Sequence, residues 1–320
     1  MSKRVFRRRV LWPIASVLTW VGVRVVERLP LRLIRGLGAV GGAVLFRLPE
    51  NRRIVLANLA IAFPDWDDAR RREIGRRSVQ SLVRGFLESV WVLRRPGRLG
   101  ELALVPPEVR SQLEALKAAA PGLIMISPHL GNWELGNYAT NASGFRTEAV
   151  ASAQHNPWLN AWVRQGRTAA GGGIIYEKGA AKEMLKALRS GRTVAMLVDQ
   201  NTKPQHGGQF ADFFGLPVTS SRAPATFARH TGADICLAAC VREADGRYIL
   251  RVWSLHQAPA ACADEAAICR EINRRTEDII REYPDQYLWL YRRFKFIPAD
   301  WQGDRQRYPY YAWARDEKPQ

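Results

Sequence analysis

Beyond the first hundred residues, which read as mostly helical, short apolar runs alternate with amphipathic ones. Residues 123–127, 193–198, 235–241 and 248–253 are strand candidates. Residues 180–189 and 264–282 are helix candidates; the second is opened by Asp264 as a cap and carries Ile268, Ile272 and Ile279 toward a core. This ordering predicts an α/β fold, a mixed central sheet with flanking helices and functional sites at strand ends. No Gly/Ser or Pro-rich linker, low-complexity run or internal repeat interrupts the 320 residues, and a hydrophobic content of 47% can fill a sizeable core. The expected organisation is a single α/β domain over residues 29–300, with a basic, apolar segment before it (1–28) and a tail after it (301–320).

The N-terminal segment begins with the basic run Lys3-Arg4-Val5-Phe6-Arg7-Arg8-Arg9, and Val10 to Val23 follow as 14 residues without a charge. That is short of the ~20 residues that span a bilayer comfortably. No small-residue cleavage site follows, only Arg24, Glu27 and Arg28, so a removed signal peptide is not indicated. A helix here is expected to lie in the membrane interface or to insert as an uncleaved anchor, with its arginines on the cytoplasmic side. A second uncharged, Gly-rich stretch, Leu37 to Phe46, is suited to packing on the domain or on lipid.

Candidate chemistry concentrates in Ser127-Pro128-His129-Leu130-Gly131-Asn132-Trp133-Glu134, directly after the first strand candidate. On one continuous helix His129 and Glu134 would stand about 140° apart and could not readily meet. Pro128 and Gly131 disfavour helix through the histidine, so His129 is expected in a turn. Asn132 is a good N-cap, and the helix is expected to start at Trp133, with Glu134 in its first turn at the positive end of the dipole. Glu134 is then expected to orient His129 through one ring nitrogen and leave the other free to take a proton from a hydroxyl. Freed N–H groups of the turn are expected to stabilise an oxyanion.

This segment resembles the H-x4-D/E motif of glycerolipid and lipid A acyltransferases, and S-P-H-L-G-N-W-E is closest to the late acyltransferases of lipid A biosynthesis. Four further segments are similar to that family in order: Asn58-Leu59-Ala60-Ile61-Ala62-Phe63-Pro64; Asn156-Pro157 with Arg164 and Arg167; Gly179 through Gly191 to Val198-Asp199-Gln200; and Pro284-Asp285-Gln286-Tyr287-Leu288-Trp289-Leu290-Tyr291-Arg292-Arg293-Phe294-Lys295. Tyr291 stands where relatives usually carry His; a tyrosine keeps a hydrogen bond or stacking but carries no proton near neutral pH. The resemblance implies a glycerolipid-acyltransferase-like fold at the inner (cytoplasmic) membrane, its catalytic domain on the cytoplasmic face. It also implies transfer of an acyl chain from acyl carrier protein, or acyl-CoA, to an anionic glycolipid. In the expected mechanism His129 is the base and Glu134 fixes its tautomer, with no metal and no cofactor beyond the acyl thioester. Arg164, Arg167, Asp199 and Asn132 are the expected substrate-binding residues. Arg164 and Arg167, spaced to share a helix face, are expected to meet phosphate on the acceptor or the carrier arm. Asp199, at a strand end, is suited to orienting His129, binding an arginine or capping a loop, and a charge-pair role is expected of it. Glu177 is a weaker candidate of the same kind.

The formal net charge of +18 adds acidic partners to this picture: membrane phospholipid, a phosphorylated acceptor and an acidic carrier protein. Nucleic acid would also satisfy the charge, but no zinc-finger spacing, RNP-like motif or basic heptad helix accompanies it. Cys236, Cys240, Cys262 and Cys269 make no zinc pattern, and the first two lie in an apolar run, as core residues do. The segment from Phe210 to Pro217 is an aromatic loop expected either to line an acyl channel or to form a core corner; Trp133 and Trp158 are aromatic walls or packing. Three functions stay open at this point: acyl transfer to a lipid A precursor, the same chemistry on a mannosylated phosphoinositide, glycerolipid or other glycolipid, and a basic membrane or nucleic-acid scaffold in which the His-Glu pair is structural.

Overall fold

The computed structural model describes residues 12–93, 95–153, 157–177 and 179–314. Its centre is a seven-stranded sheet of β1 (Ala103–Leu104), β2 (Leu123–Ser127), β3 (Thr147–Ala151), β4 (Gly173–Tyr176), β5 (Thr193–Leu197), β8 (Asp234–Arg242) and β9 (Tyr248–Ser254). The spatial order is β1-β9-β8-β2-β5-β3-β4. The five strands from β8 to β4 run parallel, and β9 turns back antiparallel on β8 with β1 at its edge. The expected mixed sheet is therefore present and mostly parallel. A hairpin, β6 (Gly208–Phe213) and β7 (Leu216–Ser221), stands apart from it.

Central strands of such a sheet are covered on both faces and read as unbroken apolar runs. β2 is Leu-Ile-Met-Ile-Ser with its first four residues buried, and β8 is buried from Ile235 to Val241. One face of the sheet packs with Ile268, Ile272 and Ile279 of a long helix (Glu265–Glu282), whose N-cap Asp264 accepts from Ala267 N–H at 2.7 Å. The other face receives Leu135, Tyr138 and Ala139 from the helix that follows β2. All four cysteines are buried and unpaired; burial pushes the Cys236 and Cys240 thiols up to about 12.

Ahead of the sheet the described residues form four α-helices, α1 (Trp12–Val26), α2 (Leu31–Arg47), α3 (Pro49–Ala62) and α4 (Asp68–Val92). Residues 1–11, with the whole basic run, and Asn156 lie outside the described residues, as do the side chains of residues 12–15 and Trp158. The Gly-rich stretch of α2 allows backbone-to-backbone packing: a Cβ on Gly42 would lie 2.4 Å from Gln80 Cα of α4. The opposite stripe of α2, Leu33, Leu37, Val40 and Val44, is exposed, Val40 to 65%, and Val17, Trp20, Val21 and Val25 of α1 are exposed as well. No helix among the described residues is long and apolar enough to cross a membrane.

The segment from 210 to 217 is the core corner rather than an open channel wall: Phe213, Phe214 and Leu216 are buried in the hairpin. Residues past 300, expected as a tail, fold back as far as residue 314. β11 (Trp313–Ala314) pairs with β10 (Phe296–Ile297), and Tyr308 and Tyr311 are buried.

Candidate active site

His129 and Asp199 meet because of strand register. β2 and β5 are parallel neighbours with Ser127 opposite Leu197, so each site residue lies two positions beyond that pair. Adjacent strands are about 4.8 Å apart, which puts the two side chains within reach at the C-terminal edge of the sheet. His129 Nδ1 lies 2.6 Å from Asp199 Oδ1, and His129 N–H donates to Asp199 Oδ2 at 2.9 Å. The carboxylate is 6% exposed. The other ring nitrogen, Nε2, points outward and lies 3.3 Å from the exposed amide nitrogen of Gln200, while Trp133 packs its ring edgewise on the imidazole at 4.9 Å.

Burial acts to lower the His129 pKa, but the Asp199 charge, its hydrogen bond and the charge of Glu134 outweigh it and leave the value raised. Burial acts to raise that of Asp199, and the His129 charge, its two hydrogen bonds and the charge of Arg293 leave it lowered. Arg293 is a buried cation behind the pair, donating to Thr219 O at 2.6 Å, Ser220 Oγ at 2.8 Å and Asn201 Oδ1 at 3.2 Å.

Three expectations are corrected here. Glu134 does not orient His129; it takes a bidentate grip on Arg167, at 3.0 Å to Nε and 2.5 Å to Nη2. The helix α6 (Trp133–Ala142), next in the chain after α5 (Pro107–Ala119), starts where the cap predicts, and a carboxylate in its first turn faces α7 (Pro157–Ala169) rather than back over the turn. Asp199 is the residue that holds the ring, one of the roles its strand-end position suits, and it is too buried and too fully engaged for the substrate binding also expected of it. Asn132 is likewise unavailable to substrate: Oδ1 accepts from Leu135 N–H at 3.1 Å and Ser89 Oγ at 2.9 Å, and Nδ2 donates to Gly85 O at 2.9 Å. It caps α6 and ties it to α4.

The turn N–H groups are not free for an oxyanion. His129 N–H goes to Asp199, Leu130 N–H to Pro128 O at 2.7 Å, Gly131 N–H to Gln286 O at 3.0 Å and Asn132 N–H to Cys240 O at 2.8 Å. Gly131 has φ +65, and a Cβ there would stand 2.1 Å from Cys240 O. Trp133 N–H and Glu134 N–H stand in the first turn of α6, and the Gln200 amide stands beside the ring. Arg164 is exposed in a shallow recess with Ala153, Asn160 and Tyr176, Glu177 is exposed beyond β4, and Arg167 is held by Glu134. A narrow slot of about 60 Å³ runs between Trp133, Glu134, Val150, Arg167, Met196 and Leu197. A cleft of about 460 Å³ lies at the opposite edge of the sheet and is mostly lined by alanine, glycine and proline.

Sequence reasoning missed the strap behind the site. Leu288 N–H donates to His129 O at 3.0 Å, Leu130 bridges to Tyr287, and Asn58 Nδ2 donates to Trp289 O at 2.7 Å and Tyr291 O at 2.8 Å. Tyr291 Oη accepts from Asn201 N–H at 2.9 Å and so steadies the loop that carries Asp199. The distant segments 58–64 and 284–295 are thus one support for the His129 turn.

A histidine locked to a buried carboxylate, with its second nitrogen turned outward at the end of a parallel sheet beside a small apolar slot, is an arrangement suited to general acid–base catalysis in an enzyme. The sequence places it further: the chain belongs to the bacterial lipid A biosynthesis acyltransferase family, whose profile matches residues 3–296. It is 28% identical over 301 residues to the lipid A biosynthesis lauroyltransferase of Escherichia coli (strain K12), covering 88% of this chain and 92% of that protein. It is 26% identical over 304 residues to the palmitoleoyltransferase of the same strain, covering 92% and 96%. A phosphatidylinositol mannoside acyltransferase of Mycobacterium tuberculosis (strain CDC 1551 / Oshkosh) is 25% identical over 186 residues, 56% of each chain.

Proposed function

We propose that this acyltransferase moves a fatty acyl chain from an acyl carrier protein thioester to a hydroxyl of a lipid A precursor at the inner (cytoplasmic) membrane, on its cytoplasmic face, with His129 as general base. The observation that carries this reading is the division of labour on the imidazole. Nδ1 is held by Asp199, so the lone pair sits on Nε2, where Gln200 now marks the position of an incoming hydroxyl. As that hydroxyl attacks the thioester carbonyl, Nε2 takes its proton and Asp199 offsets the imidazolium; the tetrahedral intermediate then collapses, the C–S bond breaks, and the imidazolium returns the proton to the leaving thiolate. Trp133 N–H, Glu134 N–H and the Gln200 amide are the donors in reach of the developing oxyanion. Glu134 fixes Arg167 at the rim, where part of its charge still faces an anionic substrate. Burial acts to lower the Arg167 pKa, and the charge and hydrogen bond of Glu134, with Tyr176, raise it, so it stays cationic throughout. The exposed apolar stripe of α1 and α2, with the net charge of +18, suits an interface with anionic phospholipid.

The test is acyl transfer by the purified full-length protein from acyl carrier protein thioesters and from acyl-CoA to a panel of lipid acceptors, with His129→Ala as control. Transfer to a lipid A precursor that vanishes in folded His129→Ala supports the proposal. Transfer only to a mannosylated phosphoinositide replaces the acceptor, and near-normal turnover in His129→Ala overturns the mechanism.

A further inference from the structure

A second cleft, of about 360 Å³, opens between α4, the turn joining β8 to β9, and the single helical turn Pro284–Gln286. Arg76, Arg77, Arg84 and Arg242 line it, against Glu243 and Asp285. Glu243 is drawn aside by Arg251 at 2.7 Å. Behind the cleft lies Glu88, 0% exposed, which accepts from Arg35 Nε at 2.8 Å, from the Tyr248 hydroxyl at 2.9 Å and from Arg242. One buried carboxylate thus serves two guanidiniums and fixes Arg242 in place, and the positive charge remains in excess.

Arg84 sits beside this group and makes no ion pair of its own among the described residues; its buried Nε finds no hydrogen-bond partner. Burial, then the neighbouring Arg242, lower its pKa, and the charge of Glu88 does not make up the difference. The hydroxyl of Ser81, a residue only 8% exposed, lines the same cleft one helical turn away and is also unpartnered, as is Arg242 Nε. Buried donors without an acceptor are rare because each forfeits its hydration. Three around one cationic cleft call for an anion with several acceptor oxygens, and a phosphate group meets that need.

We propose that this cleft is a phosphate-binding site, separate from the His129 centre, with Arg84, Arg242 and Ser81 as its donors. Two sources of phosphate fit its position. α2 packs directly on this part of α4, since a Cβ on Gly38 would lie 2.7 Å from Arg84 Cα, and the far face of α2 is the exposed apolar stripe. A lipid headgroup held here keeps its chains against that stripe; a free phosphate uses the same donors without it.

The experiment measures inorganic phosphate binding to the full-length protein by titration calorimetry. In parallel, it measures flotation with phosphatidylcholine vesicles with and without phosphatidylglycerol. The variants are Arg84→Gln, Ser81→Ala and, as a control at the opposite edge of the sheet, Arg229→Gln. Arg84→Gln is expected to weaken phosphate binding about tenfold or more, the size of one lost charge-assisted hydrogen bond, and Ser81→Ala by less. Ser81→Ala removes a single hydroxyl and keeps the test readable if Arg84→Gln lowers the melting temperature. A parallel loss of phosphatidylglycerol-dependent flotation identifies a lipid headgroup as the source; unchanged flotation identifies a free phosphate ligand. Absence of saturable binding in both arms, or equal weakening by Arg229→Gln, overturns the site.

Discussion

Asp199→Asn isolates what the carboxylate does, because it keeps the side chain's shape and changes only one oxygen to an amide nitrogen. His129 turns two donors on that group: its backbone N–H at 2.9 Å from Oδ2, and the ring at 2.6 Å through Nδ1. An amide offers one acceptor and one donor, so either orientation opposes donor to donor. Keeping the backbone bond turns NH2 toward Nδ1, which must then hold the lone pair while the proton moves to Nε2, and the base is lost. A buried hydrogen bond to a charged group is worth about 1.5–3 kcal/mol, or about 10- to 150-fold in rate if felt only in the transition state. The wrong tautomer carries the loss toward ~10⁴, the size of the same substitution in Ser-His-Asp enzymes. The pH profile gives the sign: wild-type kcat/KM rises as His129 loses its proton at a pKa above the ordinary ~6.5, and the acid limb of Asp199→Asn moves to lower pH. Stability follows the same two groups. The raised His129 value contributes stability that is complete below about 6.5 and lost as pH rises through the folded pKa. The lowered Asp199 value contributes above about 3.9 and is lost as pH falls through the folded pKa. The melting difference between wild type and variant is therefore widest between those limits. The assay is thioester consumption against pH, with circular dichroism melts and nitrogen NMR of the ring tautomer. Turnover within about threefold of wild type and an unmoved acid limb would refute the assignment.

Glu134→Gln and Arg167→Gln should lower kcat/KM by similar factors, and the double variant should lose little more, because the two act as one pair; additive losses in the double-mutant cycle would separate them. Gly131→Ala should destabilise the fold by more than the ~1–3 kcal/mol of a strained backbone, since its methyl meets Cys240 O, and a denaturant melt coinciding with wild type would contradict the turn geometry. Val40→Asp with Val44→Asp should leave the melting temperature unchanged, both side chains being exposed, while flotation with anionic vesicles falls; undiminished flotation would remove α2 from the membrane interface.

Local patterns along the chain decided a good deal. The apolar runs at β2, β5, β8 and β9 and the capped helices at Asp264 and Asn132 are visible because burial on both sheet faces and capping each leave a short-range signature. β3 and β4, Thr-Glu-Ala-Val-Ala and Gly-Ile-Ile-Tyr, carry a weaker apolar signal and are partly exposed, and they escape such a reading. The turn at His129 follows from Pro128 and Gly131. What no local pattern contains is which carboxylate the histidine meets. Glu134 is five residues away and Asp199 seventy, yet the helix carries Glu134 off to Arg167, and the parallel pairing of β2 with β5 brings Asp199 in. Side chains on a strand-turn-helix unit diverge with the helix, whereas residues at equal offsets past two paired strands converge. The availability of Asn132, the occupied N–H groups of the turn and the strap from residues 284–295 are likewise facts of packing. They depend on which distant backbone fills each hydrogen bond, and only the assembled sheet with its N-terminal helices decides that.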